Sequence, residues 1–281
     1  MKQTEVTDLI DVTGTEEEAS KLAQELKDNP NDTETWYKLG SVYLSMNKVN
    51  NAEIVFKQCL KLDKTHVRAL GDLGIVYLLK GKPKVAIKYL EKCVKLEAGY
   101  PEYWSSLGSA YIQHSKPKKA IEALQQSLAI KSDDRDALVA LALAHNNLES
   151  WTEALELLRQ AEIMFPNDYE ILKGKARSLM KLGLKQELEE TYLAMRKLDP
   201  EDHTILMYLG QIAFLKGRTE EGLDCYRKAV EMDPEAYMAW KILVEALEKL
   251  GLKDEAEEAR KKFEEVQFKL RKSGTRIFPK I

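Results

Sequence analysis

The stretch WYKLGSVY at residues 36–43 decides the fold, because its pattern returns at a fixed interval. It reappears as LGDLGIVY at residues 70–77 and as WSSLGSAY at residues 104–111, each time 34 residues further along the chain. Each copy holds a large apolar residue, then a leucine, a glycine and a tyrosine at the same spacing. A repeat of this length is one supersecondary unit that cannot bury its own apolar face, so its copies must stack on one another.

The interval of 34 residues continues to Leu270 without an insertion or a deletion. We number the residues of each repeat as places 1 to 34, with Thr33 at place 1 of the first repeat. This numbering predicts seven repeats, at residues 33–66, 67–100, 101–134, 135–168, 169–202, 203–236 and 237–270.

Small residues and prolines recur at fixed places and predict where helices begin, end and touch. Place 8 is glycine or alanine in six repeats and place 20 is alanine in five, which lets two helices approach closely. Glycine at place 15, as in Gly81, ends a helix because it reaches the left-handed conformation at little cost. Proline at place 32, as in Pro166, stops the next helix. With helical apolar spacing between these markers, each repeat is predicted to be a helix, a turn and an antiparallel helix.

The segments outside the repeats are predicted to cap the stack. The sequence TEEE at residues 15–18 is a capping-box pattern and predicts an N-terminal capping helix over residues 15–30. The charged segment at residues 253–272 suits the outer face of a terminal repeat. We expect a flexible N-terminal tail at residues 1–14 and a basic C-terminal tail at residues 271–281.

The repeat resembles the tetratricopeptide repeat (TPR) family. The resemblance covers residues 33–270 and rests on W/L-x-x-L-G-x-x-Y at places 4 to 11, alanine at place 20, an aromatic residue or leucine at place 24 and proline at place 32. It implies an all-α fold, an α-solenoid wound as a right-handed superhelix of about seven helix-turn-helix units with capping helices. It also implies a non-catalytic adaptor or scaffold that binds a segment of a partner protein in a concave groove.

The resemblance further implies that places 2, 5, 6, 9, 12 and 13 of the first helices face this groove. From these places we expect the partner-binding residues to be Tyr37, Ile75, Ser109, Leu143, Asn146, Asn147, Lys173, Arg177, Tyr208 and Gln211. These side chains predict a ligand segment with apolar anchors near Leu143 and Tyr208. An acidic group of the same segment is predicted near Lys173 and Arg177.

Other functions remain as alternatives. The scaffold could assemble with itself, head to tail or through a tail in a neighbour's groove, because residues 16–18 are acidic and the C-terminal end is basic. A chaperone cofactor is disfavoured, since the family subtype that grips a terminal carboxylate uses Lys and Asn where this chain has Tyr37, Asp72 and Glu102. An enzyme accessory subunit is a further alternative.

No pattern of catalytic or metal-binding residues stands out. The four histidines are scattered, and no Cys-x-x-Cys or phosphate-binding glycine loop occurs. Cys59 and Cys93 share place 27 and are predicted to pack as small apolar side chains. We therefore expect no enzyme activity, no cofactor and no metal. A cluster of lysines lies in the second repeat and the following turn: Lys80, Lys82, Lys84, Lys88, Lys116, Lys118 and Lys119. It is either a solvated turn region or a surface that binds an acidic partner.

Composition narrows the class of protein. A net charge of −3 and a pI near 6.0 give no support to nucleic-acid binding. The sequence has no run of about 20 apolar residues that could span a membrane, and its first residues lack the apolar core of a secretory signal. With only three cysteines, it suits a reducing compartment. We expect a cytoplasmic protein whose ligand is a protein or peptide, without nucleic-acid or membrane partners.

Overall fold

A computed structural model describes residues 12–273 of the chain, and this described part is built of helices without a strand. The helices are α1 (Val12–Asp28), α2 (Thr33–Ser45), α3 (Val49–Leu62), α4 (Val67–Leu79), α5 (Pro83–Leu96), α6 (Pro101–Gln113), α7 (Pro117–Ile130), α8 (Arg135–Asn147), α9 (Trp151–Met164), α10 (Tyr169–Leu182), α11 (Lys185–Leu198), α12 (His203–Leu215), α13 (Thr219–Met232), α14 (Tyr237–Lys249) and α15 (Lys253–Lys272). The predicted all-α architecture of stacked helix pairs is confirmed.

The helix starts follow the 34-residue interval. Every first helix begins at place 1, from α2 at Thr33 to α14 at Tyr237, and every second helix begins at place 17, from α3 to α15. The end segments differ from expectation. Helix α1 starts at Val12, so Thr15 lies within the helix and not at its cap, because the backbone of the three residues before Thr15 is already helical. Helix α15 ends at Lys272, and residues 1–11 and 274–281 of the predicted tails lie outside the described residues.

Each first helix is followed, at place 15, by a residue with a left-handed backbone conformation. The turn after α4 shows why, since the Lys82 amide donates back to the Tyr77 carbonyl at 2.8 Å and only a left-handed residue between them allows this closure. Glycine occupies place 15 in four repeats, but the same conformation is held by a residue with a side chain in the other three. The φ values are 56° at Asn47, 56° at Ser115 and 60° at Glu149. All seven repeats therefore adopt this turn geometry whatever residue stands at place 15, and glycine only lowers the conformational free energy that it costs.

The two helices of a repeat touch where place 8 meets place 24. A Cβ atom on Gly74 would lie 2.5 Å from Cγ of Leu90, closer than real Cβ contacts come. A Cβ on Gly108 would overlap the side chain of Leu124 in the same way, and both leucines are fully buried. The large residue at place 24 thus occupies the space that a missing side chain leaves at place 8.

The chain divides into two compact units, residues 1–166 and residues 167–281. The core of the first unit runs through successive repeats and includes Leu73, Leu90 and Leu124. At its N-terminal end, α1 buries apolar side chains against α2 and α3. The second unit has a core of its own around Leu223 and Leu247. Among the described helices, none combines the length and the apolar character needed to cross a membrane.

We expect Gly108→Ala to lower the free energy of unfolding by about 1–3 kcal/mol, because the added methyl group must displace Leu124. Urea unfolding followed by circular dichroism measures the change. Gly99→Ala is the matched control, since a Cβ at Gly99 would meet nothing within 4 Å. An unchanged midpoint for Gly108→Ala would contradict the close helix contact.

Candidate protein-binding surfaces

Within each unit, the first helices present a surface that we call the first-helix face. It consists of the side chains at places 2, 5, 6, 9, 12 and 13. In the first unit α2 contacts α4, α4 contacts α6 and α6 contacts α8, and in the second unit α12 contacts α14. Because neighbouring first helices touch, side chains at equal places of adjacent repeats adjoin one another. This contact makes each face a candidate for binding an elongated ligand.

The predicted residues of the first unit lie on four successive first helices. Those that are half-buried on the first-helix face are Tyr37 on α2, Ile75 on α4, Ser109 on α6 and Leu143 on α8. Asn147 is exposed at the end of α8. Asn146 differs from its neighbours, because it is only 3% exposed and its amide lies within the unit, not on the surface. The available face is therefore small and mostly apolar around Leu143.

A buried tyrosine and a half-buried carboxylate join α6 to α4, and the sequence did not predict this pair. The Tyr103 hydroxyl donates to Oδ1 of Asp72 at 3.1 Å. Gly71 makes room for the tyrosine, because a Cβ there would overlap the Tyr103 ring. Burial raises the pKa of Asp72, partly offset by the hydroxyls of Tyr103 and Tyr37. Asp72 is thus a structural carboxylate, and the glycine inside a predicted helix was the signal that could have revealed it.

Next to this pair, Tyr37 is covered by charged and aromatic groups. Its ring lies 5.0 Å from the ring of His66, and the Arg68 guanidinium sits 4.9 Å above it. Arg68 also reaches a carboxylate oxygen of Glu34 at 3.6 Å. These contacts hold Tyr37 in place, so a ligand would meet its exposed part without having to order the side chain.

In the second unit, the predicted basic and aromatic residues lie on α10 and α12. Lys173 and Arg177 are exposed, and Lys173 lies 3.3 Å from Glu170. Arg177 forms no ion pair with a residue of the described part. Tyr208 is 41% exposed and stacks on Tyr192, with ring centroids 4.9 Å apart and planes within 10°. The stacking fixes the orientation of the Tyr208 ring and leaves the exposed part of the side chain open to a ligand.

A cleft of about 410 Å³ opens on the first-helix face of the second unit, between α12 and α14. Phe214, Tyr226 and Ile242 contribute apolar surface to it. Its polar groups include the amide of Gln211, the carboxylate of Glu245 and the ammonium group of Lys249. Gln211 is thus the expected partner-binding residue that lines a defined cavity. Phe214 and Ile242 occupy the groove-facing places 12 and 6, whereas Tyr226 lies on the second helix α13, outside these places.

The cleft owes its aromatic wall to two glycines. A Cβ on Gly210 would lie 2.5 Å from the Tyr226 ring, and a Cβ on Gly222 would lie 2.6 Å from the Phe214 ring. The two rings stack with centroids 5.5 Å apart. Gly222 occupies place 20, where most repeats have alanine, and its missing side chain is replaced by Phe214. The glycine at place 20 together with phenylalanine at place 12 was therefore a sequence signal for this wall.

The cysteines at place 27 have a structural role. The Cys59 thiol donates to the Thr33 carbonyl at 3.4 Å, and the Cys93 thiol donates to the Val67 carbonyl at 3.3 Å. In the third repeat, Ser127 takes the same place and donates to the carbonyl of place 1 at 2.8 Å. Burial raises the pKa of both thiols to about 12. Among the described residues, no group of three His, Cys, Asp or Glu side chains could hold a metal ion.

We expect Asp72→Asn to flatten the pH dependence of stability. A carboxyl whose pKa is raised by folding stabilises the protein at low pH, and this contribution is lost as the pH rises through the folded pKa. The urea midpoint of the variant relative to wild type should therefore increase between about pH 4 and pH 7. Glu153→Gln, which removes an exposed carboxylate on α9, is the control. A difference that stays constant with pH would show that burial does not perturb Asp72.

The thiols provide a separate test of burial. In the native protein at about pH 8, a thiol reagent should modify Cys59 and Cys93 far more slowly than a free cysteine, because almost none of either thiol is ionised. Cys225, which is only half-buried, is the internal comparison. Both slow thiols should react after addition of denaturant. Three equally fast reactions in the native state would be incompatible with the place-27 hydrogen bonds.

Comparison with known proteins gives the family of the chain. Sequence models described as tetratricopeptide repeat match residues 33–66, 67–100, 105–169 and 203–236, together more than half of the chain. A search of curated proteins finds no match. Among solved structures, the crystal structure of MamA protein is 25% identical in sequence and superposes with a TM-score of 0.54. The match covers 59% of this chain and 90% of the MamA chain.

Two further structures share the fold at lower identity. The APC/C hetero-tetramer Cut9–Hcn1 is 19% identical with a TM-score of 0.62, over 84% of this chain and 47% of the other. A tetratricopeptide repeat protein from Parabacteroides merdae ATCC 43184 is 15% identical with a TM-score of 0.59, over 86% of this chain and 95% of the other. The chain therefore belongs to the tetratricopeptide repeat family, whose helix pairs typically act as non-catalytic protein-interaction modules.

Proposed function

We propose that this protein is a non-catalytic adaptor or scaffold that binds a segment of a partner protein on its first-helix faces. The observation that carries the proposal is the cleft between α12 and α14. Its volume of about 410 Å³ lies within the range of ligand pockets, about 300–1,000 Å³. We infer that it accepts a large apolar side chain of the partner, such as leucine or phenylalanine.

The groups around the cleft suit a peptide backbone. Gln211 can both donate and accept a hydrogen bond, and it is exposed on α12. Lys249 has no ion-pair partner among the described residues, whereas Glu245 lies 3.8 Å from Lys241 in an exposed pair that contributes little. An apolar anchor with polar contacts on either side is how helical grooves commonly hold a segment.

Three other predicted residues extend this proposal. Tyr208 offers a second apolar anchor on α12, since its ring is ordered by Tyr192 and partly exposed. Arg177 offers a guanidinium to an acidic group of the same segment. Leu143 provides an anchor on the face of the first unit. These assignments remain proposals, as does a cytoplasmic location.

Self-assembly is the second candidate function, and one side chain favours it. Phe268 is 59% exposed near the end of α15, where a second copy of the chain could cover it. Light scattering over a range of protein concentrations decides between the candidates. A monomer at every concentration would remove self-assembly and leave the adaptor.

We expect Ala246→Trp to fill the cleft and to abolish partner recovery in affinity capture from the native cell with mass spectrometry. Loss of one buried anchor weakens such interfaces by about 2 kcal/mol or more, or roughly thirtyfold. Lys197→Trp, which adds the same side chain at an exposed place of the second helix α11, is the control. Leu143→Glu combined with Arg177→Glu tests the other predicted contacts.

The capture experiment can refute the proposal. Thermal unfolding of each variant first establishes that the units remain folded. The same partners recovered in the same amounts from wild type and from folded Ala246→Trp would refute the cleft as the anchor site. Equal recovery with the double variant would reject Leu143 and Arg177.

A further inference from the structure

Six exposed lysines along one edge of the first unit form no ion pair with any residue of the described part. They lie at places 16 to 22 of the second and third repeats, around the starts of α5 and α7. We call this group the lysine edge: Lys82, Lys84, Lys88, Lys116, Lys118 and Lys119. Exposed lysines without an ion pair also occur elsewhere in the described part, but here six of them lie at the starts of two successive second helices.

Other repeats show how such lysines are normally neutralised. In the second unit, Glu189 at place 21 pairs with both Lys216 and Arg218, which follow in the next repeat. Glu221 at place 19 adds a second carboxylate 3.0 Å from Arg218. In the first repeat, Glu53 at place 21 likewise pairs with Lys80. A carboxylate at place 21 of the preceding repeat, or at place 19 of the same repeat, therefore balances the basic turn.

The lysine edge has only part of this arrangement. Place 21 of the second repeat, which would face the turn of the third repeat, is Ile87. Place 19 is Val85 in the second repeat and another lysine, Lys119, in the third. Lys116 therefore has neither carboxylate.

The turn of the second repeat does face a carboxylate, Glu53 of the first repeat, which pairs with Lys80. This carboxylate, which faces the turn of Lys82, is already engaged by Lys57 and Lys80.

Two carboxylates, those of Glu91 and Glu122, lie near Tyr111, but neither forms an ion pair with a lysine of the edge in the described part. Lys119 lies over the Tyr111 ring, 5.6 Å from its centroid. The hydroxyl of the same tyrosine donates a hydrogen bond to the carboxylate of Glu91 on α5. The edge is left as a positive patch that an acidic ligand would relieve.

We propose that the lysine edge binds an acidic, Asp- and Glu-rich segment of a partner protein. Carboxylates complement its charge and would steer such a segment to it. RNA is a poorer fit, because the aromatic rings nearby are engaged: Tyr89 stacks on Tyr77 and Tyr111 is buried. An anionic bilayer is a poorer fit because no tryptophan or phenylalanine lies among the six lysines to anchor in the interface.

This surface is separate from the cleft that carries the proposed function. The lysines belong to the first unit and to the turns and second helices, whereas the cleft belongs to first helices of the second unit. An acidic flank of one ligand or a different partner could occupy the edge. Failure of the cleft proposal would therefore leave the lysine edge untouched, and the reverse also holds.

The test uses a fluorescein-labelled peptide of about ten alternating Asp and Glu residues, titrated with the full chain and followed by anisotropy. In the edge variant, Lys82, Lys84, Lys116 and Lys118 are changed to Gln. In the control variant, the changed residues are Lys61, Lys64, Lys95 and Lys131, which are exposed and unpaired within the described part and lie around the opposite ends of the second helices. Both variants lose the same charge.

We expect the edge variant to bind the peptide about tenfold more weakly, as follows from losing four exposed ion pairs, and the control variant to bind within about twofold of wild type. Ala246→Trp should bind the peptide as wild type does. Equal weakening in both lysine variants, or no binding by wild type, would overturn the proposal. Tighter binding of a single-stranded RNA of equal charge, or of phosphatidylserine vesicles, would also overturn it.

Discussion

The close approach of two helices at place 8 is the contact on which the rest of the structure depends. At Gly74 and Gly108 the partner leucine fills the volume where a side chain would otherwise stand. This contact sets the distance between the helices of a pair, and the pair then offers an apolar edge to the next repeat. Because every repeat is stabilised chiefly by its neighbours, the local contact determines both the core and the surface that remains for binding.

The interval of 34 residues made the helices predictable to within a residue or two. Periodicity works here because stacked helix pairs leave no room for an insertion without breaking the neighbour contact. The N-terminal helix shows the limit of this reasoning. Residues 15–18 carry a capping pattern, yet α1 begins at Val12, since a capping pattern does not prevent a helix from extending further in the N-terminal direction.

The binding surface was less predictable than the fold. Place numbering brought Gln211 to the cleft, but it also selected Asn146, which is buried. The distinction depends on how large the neighbouring side chains are, which a place number does not contain. The cleft itself follows from an exchange of volume between Gly222 and Phe214, two positions eight residues apart. Such exchanges are visible in a sequence only when departures from a repeat are considered in pairs.

The left-handed turn residues reveal an uneven distribution of backbone strain. At place 15, Asn47, Ser115 and Glu149 of the first unit hold a conformation that costs a residue with a side chain about 1 kcal/mol more than glycine, whereas the second unit has glycine at this place. Asn167, at the start of the second unit, holds the same conformation outside this turn. Three turns of the first unit therefore carry a small unfavourable backbone conformational energy. Substituting glycine at these turns would raise the thermal stability of the protein without altering any side chain on the first-helix face.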